Sequence, residues 1–292
     1  SGRTITVTPD HPVYHLNGDG FARAAAGDLK AGDYLPVLKA GGFCESPVTE
    51  IDVAEVLAKG GHAGEVRATE ETVNIRGAKH PGLPRILPVS RDLAAFLGYY
   101  LAAGSSERTG RRYTVRLSLP KHGWDLAADA AGCIRAALGF EPQVRKTATG
   151  TDVIVNSKLV YLLIDALGCG SSEDRTVPDL LFNLDATLVG DYLGAAFSVG
   201  ERRSGRRARS IRLTAPSREA AQKLVWLAQQ IGVQMNYVER EMGIRRNGDG
   251  TAQTAHVCRI TDQDQIDRFV SETGCSAETP RGRQVAGPFA RL

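Results

Sequence analysis

Two short stretches, Leu97-Gly98-Tyr99-Tyr100-Leu101-Ala102-Ala103-Gly104 and Leu193-Gly194-Ala195-Ala196-Phe197-Ser198-Val199-Gly200, read as two copies of one element. Each starts Leu-Gly, runs through small and aromatic residues, ends in Gly and is followed by arginines and an alternating strand. They lie 96 positions apart, and the same offset carries Val115-Arg116-Leu117 onto Ile211-Arg212-Leu213 and Pro120 onto Pro216. One offset shared by a helix and a strand marks an internal duplication. The chain is thereby limited to folds that contain one unit twice.

The unit can be drawn from its periodicities. In the first copy, Ser90 caps a helix whose apolar positions Leu93, Phe96, Leu97, Tyr100 and Leu101 recur at helical spacing up to Gly104. A strand follows at 113–119, with Tyr113, Val115, Leu117 and Leu119 on one face and Arg112, Thr114, Arg116 and Ser118 on the other. Next come a helix over 125–139, strands near 143–146 and 152–156 joined through Thr149-Gly150, and a helix over 159–167 stopped by Gly168. The second copy repeats this order. A short helical lead-in at 178–182 precedes a helix over 185–200, a strand over 209–214 with Ser210, Arg212 and Thr214 on one face, and a helix over 217–232. Strands over 234–242 and 254–260 and a helix over 262–274 complete it. Each repeat thus predicts an αββαββα unit, the first over 83–175 and the second over 176–275, with a disordered tail over 276–292.

Net charge is only +3, but the cations are concentrated: seven arginines and no acid lie between Arg202 and Arg218, and Arg108, Arg111, Arg112, Arg116 and Lys121 follow the first paired segment. Clusters after both repeats point to a polyanionic partner. The five cysteines include no C-x-x-C pair and fit neither a zinc site nor a disulfide scaffold, which suggests a reducing, cytoplasmic compartment. No run of 18 apolar residues is present, so no membrane partner is expected.

The opening residues read as β-rich, with a strand over 4–8, a hairpin over 14–21 around Asn17-Gly18-Asp19-Gly20, and a turn at 28–33 before a strand over 34–38. Residues 44–82 read as a connecting segment with one helix at 48–58, and its histidines, His62 and His80, read as exposed. The Thr8-x-x-His11 pattern, followed by Asp28-Leu29-Lys30-x-Gly32-Asp33-Tyr34-Leu35, resembles the N-terminal part of an intein splicing domain, the Hint fold. The resemblance covers residues 1–43. It implies that His11 assists breakdown of an N-terminal scissile bond and that Thr8 helps polarise it. The first-residue nucleophile at the family's spacing and the C-terminal His-Asn pair are missing, so splicing by this chain alone is not expected.

From about Leu83 to Gly274 the chain resembles the LAGLIDADG, or dodecapeptide, homing endonucleases, particularly those inserted in inteins. The resemblance rests on the paired segments, on Asn156-Ser157-Lys158, on the lead-in from Thr176 to Asn183, and on Leu213-Thr214-x-x-Ser217. It implies an α+β fold in which two pseudo-symmetric repeats form a saddle on double-stranded DNA, a monomer that is an internal pseudo-dimer. The two paired helices would pack through small residues, Gly98, Ala102, Gly194, Ala195 and Ala196. Strand arginines, foremost Arg112, Arg116, Arg209 and Arg212, would contact DNA.

Here the chain departs from the family it resembles. Cleavage there needs a carboxylate at the penultimate position of each motif to hold divalent metal ions. The first position is Ala103; the second is Val199 by the repeat offset, or Gly200 if Phe197-Ser198 is matched to the family's ending. None binds metal, so no cofactor is expected and the chain reads as a DNA-binding scaffold that does not cut. Two alternatives stand beside this. One is an active endonuclease using the displaced acids Glu107 and Glu201, with Mg²⁺ bound only in that case; the other is a splicing element completed by another chain. Lys121 falls where the family often carries a functional lysine and, without metal, would bind phosphate.

Overall fold

The fold is described by a computed structural model over residues 3–18, 20–37, 44–78, 82–121, 123–200, 202–203, 210–242 and 253–275. The N-terminal residues form one antiparallel hairpin, β1 (Pro12–Asn17) and β2 (Gly20–Ala25), in which Asn17 faces Gly20 and the turn passes through Gly18 at φ +54°. Then come β3 (Glu50–Asp52), α1 (Val53–Lys59), β4 (Val66–Ala68), β5 (Thr72–Ile75), β6 (Leu83–Pro84) and β7 (Ile86–Pro88). The first repeat comprises α2 (Arg91–Ala103), β8 (Gly104–Thr109), β9 (Arg112–Pro120), α3 (Trp124–Leu138), β10 (Gln143–Lys146), β11 (Gly150–Val155) and α4 (Lys158–Ala166). The second comprises α5 (Ala186–Val199), β12 (Arg202–Arg203), β13 (Ser210–Ala215), α6 (Arg218–Gln230), β14 (Asn236–Met242), β15 (Gln253–Ile260) and α7 (Gln263–Thr273). The molecule is thus a mixed fold of helices and small antiparallel sheets, with αββαββα twice in succession. The strand order is β8-β9-β11-β10 in one four-stranded sheet and β12-β13-β15-β14 in the other, the same topology in both.

Local chemistry sets the helix ends. Ser90, Ser157, Ser217, Asp185 and Asp262 each accept a backbone N–H from the first turn of α2, α4, α6, α5 and α7, satisfying donors that have no partner inside the helix. At the other end, Gly139 and Gly274 adopt left-handed backbone at φ +71° and +63° to stop α3 and α7.

Helices α2 and α5 are the centre of the molecule. Every residue from Leu188 to Ser198 is buried, as is every residue from Leu93 to Leu101. A helix buried on all sides has no polar face to keep. Gly98 permits the close crossing: a Cβ there would stand 2.2 Å from the Tyr192 carbonyl oxygen and 3.1 Å from the Ala195 Cβ. Phe96, Tyr99, Tyr100, Tyr192 and Phe197 are fully buried around this seam, and losing a ring of this kind costs about 3–5 kcal/mol. Tyr99 and Tyr100 donate their hydroxyls to Asp129 at 2.7 Å and the Gly170 carbonyl at 2.8 Å. At the start of α2, Arg91 donates to both carboxylate oxygens of Asp191 on α5, at 2.6 and 2.9 Å, and Asp191 is almost wholly buried. That pair fixes the register of the two helices as well as their contact.

Several expectations are corrected. Gly194 has its close neighbour outside the α2–α5 seam: a Cβ there would stand 2.7 Å from the Thr273 carbonyl at the end of α7, so its smallness serves the α5–α7 contact. Residues 4–8 form no strand. The Arg3 side chain donates to Gln229 and Gln234, Thr4 accepts from Gln222, and among the described residues no strand pairs with this backbone. Residues 34–37 form none either: Pro36 has no N–H to give, and among the described residues the one backbone hydrogen bond of this stretch is the Tyr34 carbonyl accepting from Leu16 at 2.8 Å. The described part of residues 1–43 therefore holds a single hairpin. Residues 38–43 and the tail over 276–292 lie outside the described residues.

The segment over 44–82 is more structured than a connector. The helix expected at 48–58 begins only at Val53, since Asp52 caps it by accepting from Ala54 and Glu55, and residues 50–52 pair with β7 instead. β4, β5 and β6 make a three-stranded sheet too short for its alternation to be read from sequence. His62 is also not the surface histidine expected. It is largely covered, with Nε2 2.7 Å from the Asp165 carboxylate on α4 and Nδ1 3.7 Å from Glu65. Glu65 in turn pairs with Lys158. His80 lies outside the described residues.

Candidate functional site

The two four-stranded sheets each bury one face in the core and leave the other partly open. On β9, Val115, Leu117 and Leu119 are buried, while Arg112 and Ser118 are exposed and Thr114 and Arg116 half-buried. On β13, Ile211, Leu213 and Ala215 are buried and Arg212 and Thr214 lie on the opposite face with Ser210. Cross-strand pairing extends these faces. Arg116 stands opposite Ser105 of β8 and Ile154 of β11, and Asp152 stands opposite Ser118 of β9 and Arg145 of β10. In the second sheet Arg212 stands opposite Arg259 of β15, which in turn faces Asn236 of β14. Arg240, four residues further along β14, shares this face.

These rows present guanidinium groups at fixed spacing on a rigid support. Arg116 lies with Nε 3.9 Å from an Asp152 oxygen, and Arg212 donates Nε to the Ser210 hydroxyl at 3.1 Å. The Nε atoms of Arg116 and Arg259 are buried without a hydrogen-bond partner. Arginine forks of this kind recognise phosphate and guanine edges bidentately.

Of the four arginines singled out from sequence, Arg112 and Arg116 share one strand face, Arg212 occupies the matching face of the other repeat, and Arg209 lies outside the described residues. Arg259, Arg240 and Asn236 were missed. Alternation along the two strands expected at 234–242 and 254–260 carried the signal, since Arg259 falls on the polar side of Cys258 and Ile260.

The two positions at which the sequence comparison expects carboxylates lie at helix ends. Ala103 is the last residue of α2 and Gly104 its C-cap; Val199 is the last residue of α5 and Gly200 its C-cap. Ala103 and Val199 therefore occupy equivalent places, and both are half-buried. Gly200 is barred from carrying a side chain, because a Cβ there would meet the Arg212 carbonyl oxygen at 2.2 Å. Glu107 is exposed, four residues beyond the helix on β8 and opposite Thr114. Glu201 lies outside the described residues. Among the described residues no three His, Cys, Asp or Glu side chains gather as a metal would need.

A cation occupies the end of α2. Arg175, in the stretch between the repeats, donates Nη1 to the Gly104 carbonyl, and positive charge is favoured at a helix C-terminus. Burial pushes its guanidinium pKa below the ordinary value. Lys121 is exposed just past β9. Thr8 and His11 are exposed within a turn in which the His11 N–H donates to the Thr8 carbonyl at 3.0 Å and Ala26 donates to the His11 carbonyl at 2.8 Å. Lys158, from the Asn156-Ser157-Lys158 run, lies over the Tyr113 ring at 5.1 Å and pairs with Glu65, so its charge is used within the fold. No helix among the described residues is long and apolar enough to cross a membrane.

No protein-family model matches the chain. An uncharacterized protein of Methanocaldococcus jannaschii is 24% identical over 291 residues, which cover 80% of this chain and 32% of that protein. The DNA polymerase II large subunit of Halobacterium salinarum is 38% identical over 80 residues, 25% of this chain and 6% of that subunit. This chain thus spans about a third of the first relative's length and a small fraction of the second's. Similar solved structures include mesophilic variants of the homing endonuclease I-DmoI, at TM-score 0.46 and 13% identity over 65% of this chain and 92% of that one. I-DmoI in complex with DNA and Ca aligns at TM-score 0.45 and 12% identity over 66% and 94%. Full-length DUF199/WhiA from Thermatoga maritima aligns at TM-score 0.44 and 13% identity over 65% and 57%.

Proposed function

We propose that this chain binds double-stranded DNA through the exposed faces of its two four-stranded sheets and does not hydrolyse it. The observation that carries the reading is the repetition of one arginine, Arg116 on β9 and Arg212 on β13, at equivalent places on two sheets of the same topology. Arg112, Arg259 and Arg240 extend the same faces. A groove-sized polyanion with regularly spaced charge is the partner that rewards such duplication. In this reading the protein acts as a monomer, each repeat meeting one half of the duplex site.

The second half of the reading follows from the helix ends. Metal-assisted phosphodiester hydrolysis needs carboxylate oxygens to hold the cation, and Ala103 and Val199 supply none. Glu107 reaches the solvent from a strand whose register is fixed by pairing. Within the same reading, the Thr8-x-x-His11 turn and the hairpin after it derive from an intein splicing segment.

The test is one incubation with two readouts. Purified protein is mixed with a linear plasmid digest in Mg²⁺ and, separately, in Mn²⁺; bound and free duplex are separated, and the DNA is then stripped of protein and sized. Retarded but intact duplex is expected. Scission at a defined position overturns the claim of inactivity, and absence of any retarded duplex overturns the claim of binding.

A further inference from the structure

The two sheets share a topology but not a charge pattern, and their registers can be superposed pair by pair. In the first, Arg116 faces Ile154, which faces Gln143 on the outer strand; the next row holds Ser118, Asp152 and Arg145. In the second, Arg212 faces Arg259, which faces Asn236; the next row holds Thr214, Val257 and Val238. Position for position, Ile154 is replaced by Arg259 and Asp152 by Val257. The first sheet thus surrounds Arg116 with an apolar residue and an acid 3.9 Å away. The second sets two guanidinium groups directly opposite each other and takes the acid away.

Two like charges facing each other across an antiparallel pair repel. Neither is neutralised from within the described residues: Arg212 donates Nε to the Ser210 hydroxyl, and the Arg259 Nε is buried without a hydrogen-bond partner. The acids of the neighbouring strand, Glu239 and Glu241, fall on the opposite face, where Glu239 accepts from the Tyr237 hydroxyl at 2.5 Å. The Arg116 Nε of the first sheet is orphaned in the same way, so what sets the second sheet apart is the pairing: two unneutralised forks directly opposite each other are complementary to one tetrahedral oxyanion, whose oxygens accept from both.

We propose that Arg212 and Arg259 form a clamp for a single phosphate group, present in the second repeat and absent from the first. This rests on the DNA reading, in which the phosphate is a backbone phosphate of the duplex. The two halves of the protein then differ in task. The second repeat grips the backbone and supplies most of the salt-sensitive affinity. The first, with acceptors Asp152 and Glu107 interleaved among Arg112, Arg116 and Arg145, discriminates among base edges.

Inorganic phosphate is the probe, and Arg259→Ile the variant, since it gives the second sheet the residue that the first already carries. Thermal unfolding is followed at constant ionic strength in chloride and in phosphate. Phosphate is expected to raise the Tm of the wild type and of Arg116→Ile but not that of Arg259→Ile. In chloride, Arg259→Ile is expected to melt no lower than the wild type, because a repulsion is removed, which separates loss of the clamp from loss of the fold. In duplex binding, Arg259→Ile is expected to flatten the slope of log affinity against log salt by about 1, and Arg116→Ile by less. An equal phosphate effect on wild type and Arg259→Ile, or equal losses for the two variants, overturns the clamp. A phosphate effect that depends on Arg259 together with no duplex binding upholds the clamp and overturns the DNA reading.

Discussion

Gly98 on α2 lies so close to Tyr192 on α5 that a Cβ at residue 98 would stand 2.2 Å from the Tyr192 carbonyl oxygen. A backbone oxygen in the middle of a helix cannot move aside without breaking its ladder, so this contact sets the separation of the two central helices. Those helices position the two sheets, and the spacing of the arginines on the two sheet faces therefore depends on a missing methyl group.

Gly98→Ala is expected to destabilise the protein by about 1–3 kcal/mol, the cost of overpacking a filled interior. Chemical denaturation monitored by circular dichroism checks this, with a lowered midpoint as the expected result. An unchanged midpoint would mean that α2 and α5 can separate freely.

Gly200 and Val199 offer a sharper comparison at the end of α5. Gly200→Ala places a Cβ against the Arg212 carbonyl and is expected to lower stability by about 1–3 kcal/mol, while Val199→Ala, at a half-buried site, is expected to cost less. The same denaturation series decides it. If Gly200→Ala is tolerated, the Arg212 carbonyl does not bar a side chain at residue 200.

The Lys158 ammonium holds the Glu65 carboxyl below its usual value. A depressed carboxyl binds fewer protons folded than unfolded, so its contribution is complete above the unfolded value of about 4.3 and fades as pH falls through the folded one. Glu65→Gln is expected to lower the Tm near neutral pH and to converge on the wild type only in acid well below about pH 4.3, where the carboxyl is protonated in both states. Melting curves at stepped pH measure this; a constant gap between the two proteins would show that the pair contributes nothing that titrates.

What could be read in advance was whatever repeats or alternates. The offset between Leu97 and Leu193, the cap Ser90, and the two faces of β9 all reappear in the structure, because helix capping and strand alternation are local rules. Asp52 escaped notice because Val48 to Ile51 also fits a helical spacing, and only pairing with β7 draws residues 50–52 into a strand. Arg259 escaped because its meaning is relational: in sequence it is one arginine near the end of a strand, and only the register opposite Arg212 makes it half of a pair. Gly194 illustrates the same limit, since its small size was legible and the neighbour that demands it, Thr273, was not.

The central claim, that the sheet faces bind duplex DNA through its backbone charge, is tested most directly by measuring affinity for a duplex of mixed sequence as salt is raised. With Arg112, Arg116, Arg212, Arg259 and Arg240 displacing counterions, log affinity is expected to fall linearly with log salt at a slope of about −3 to −5. No measurable binding at low salt, or a slope near zero, would contradict it.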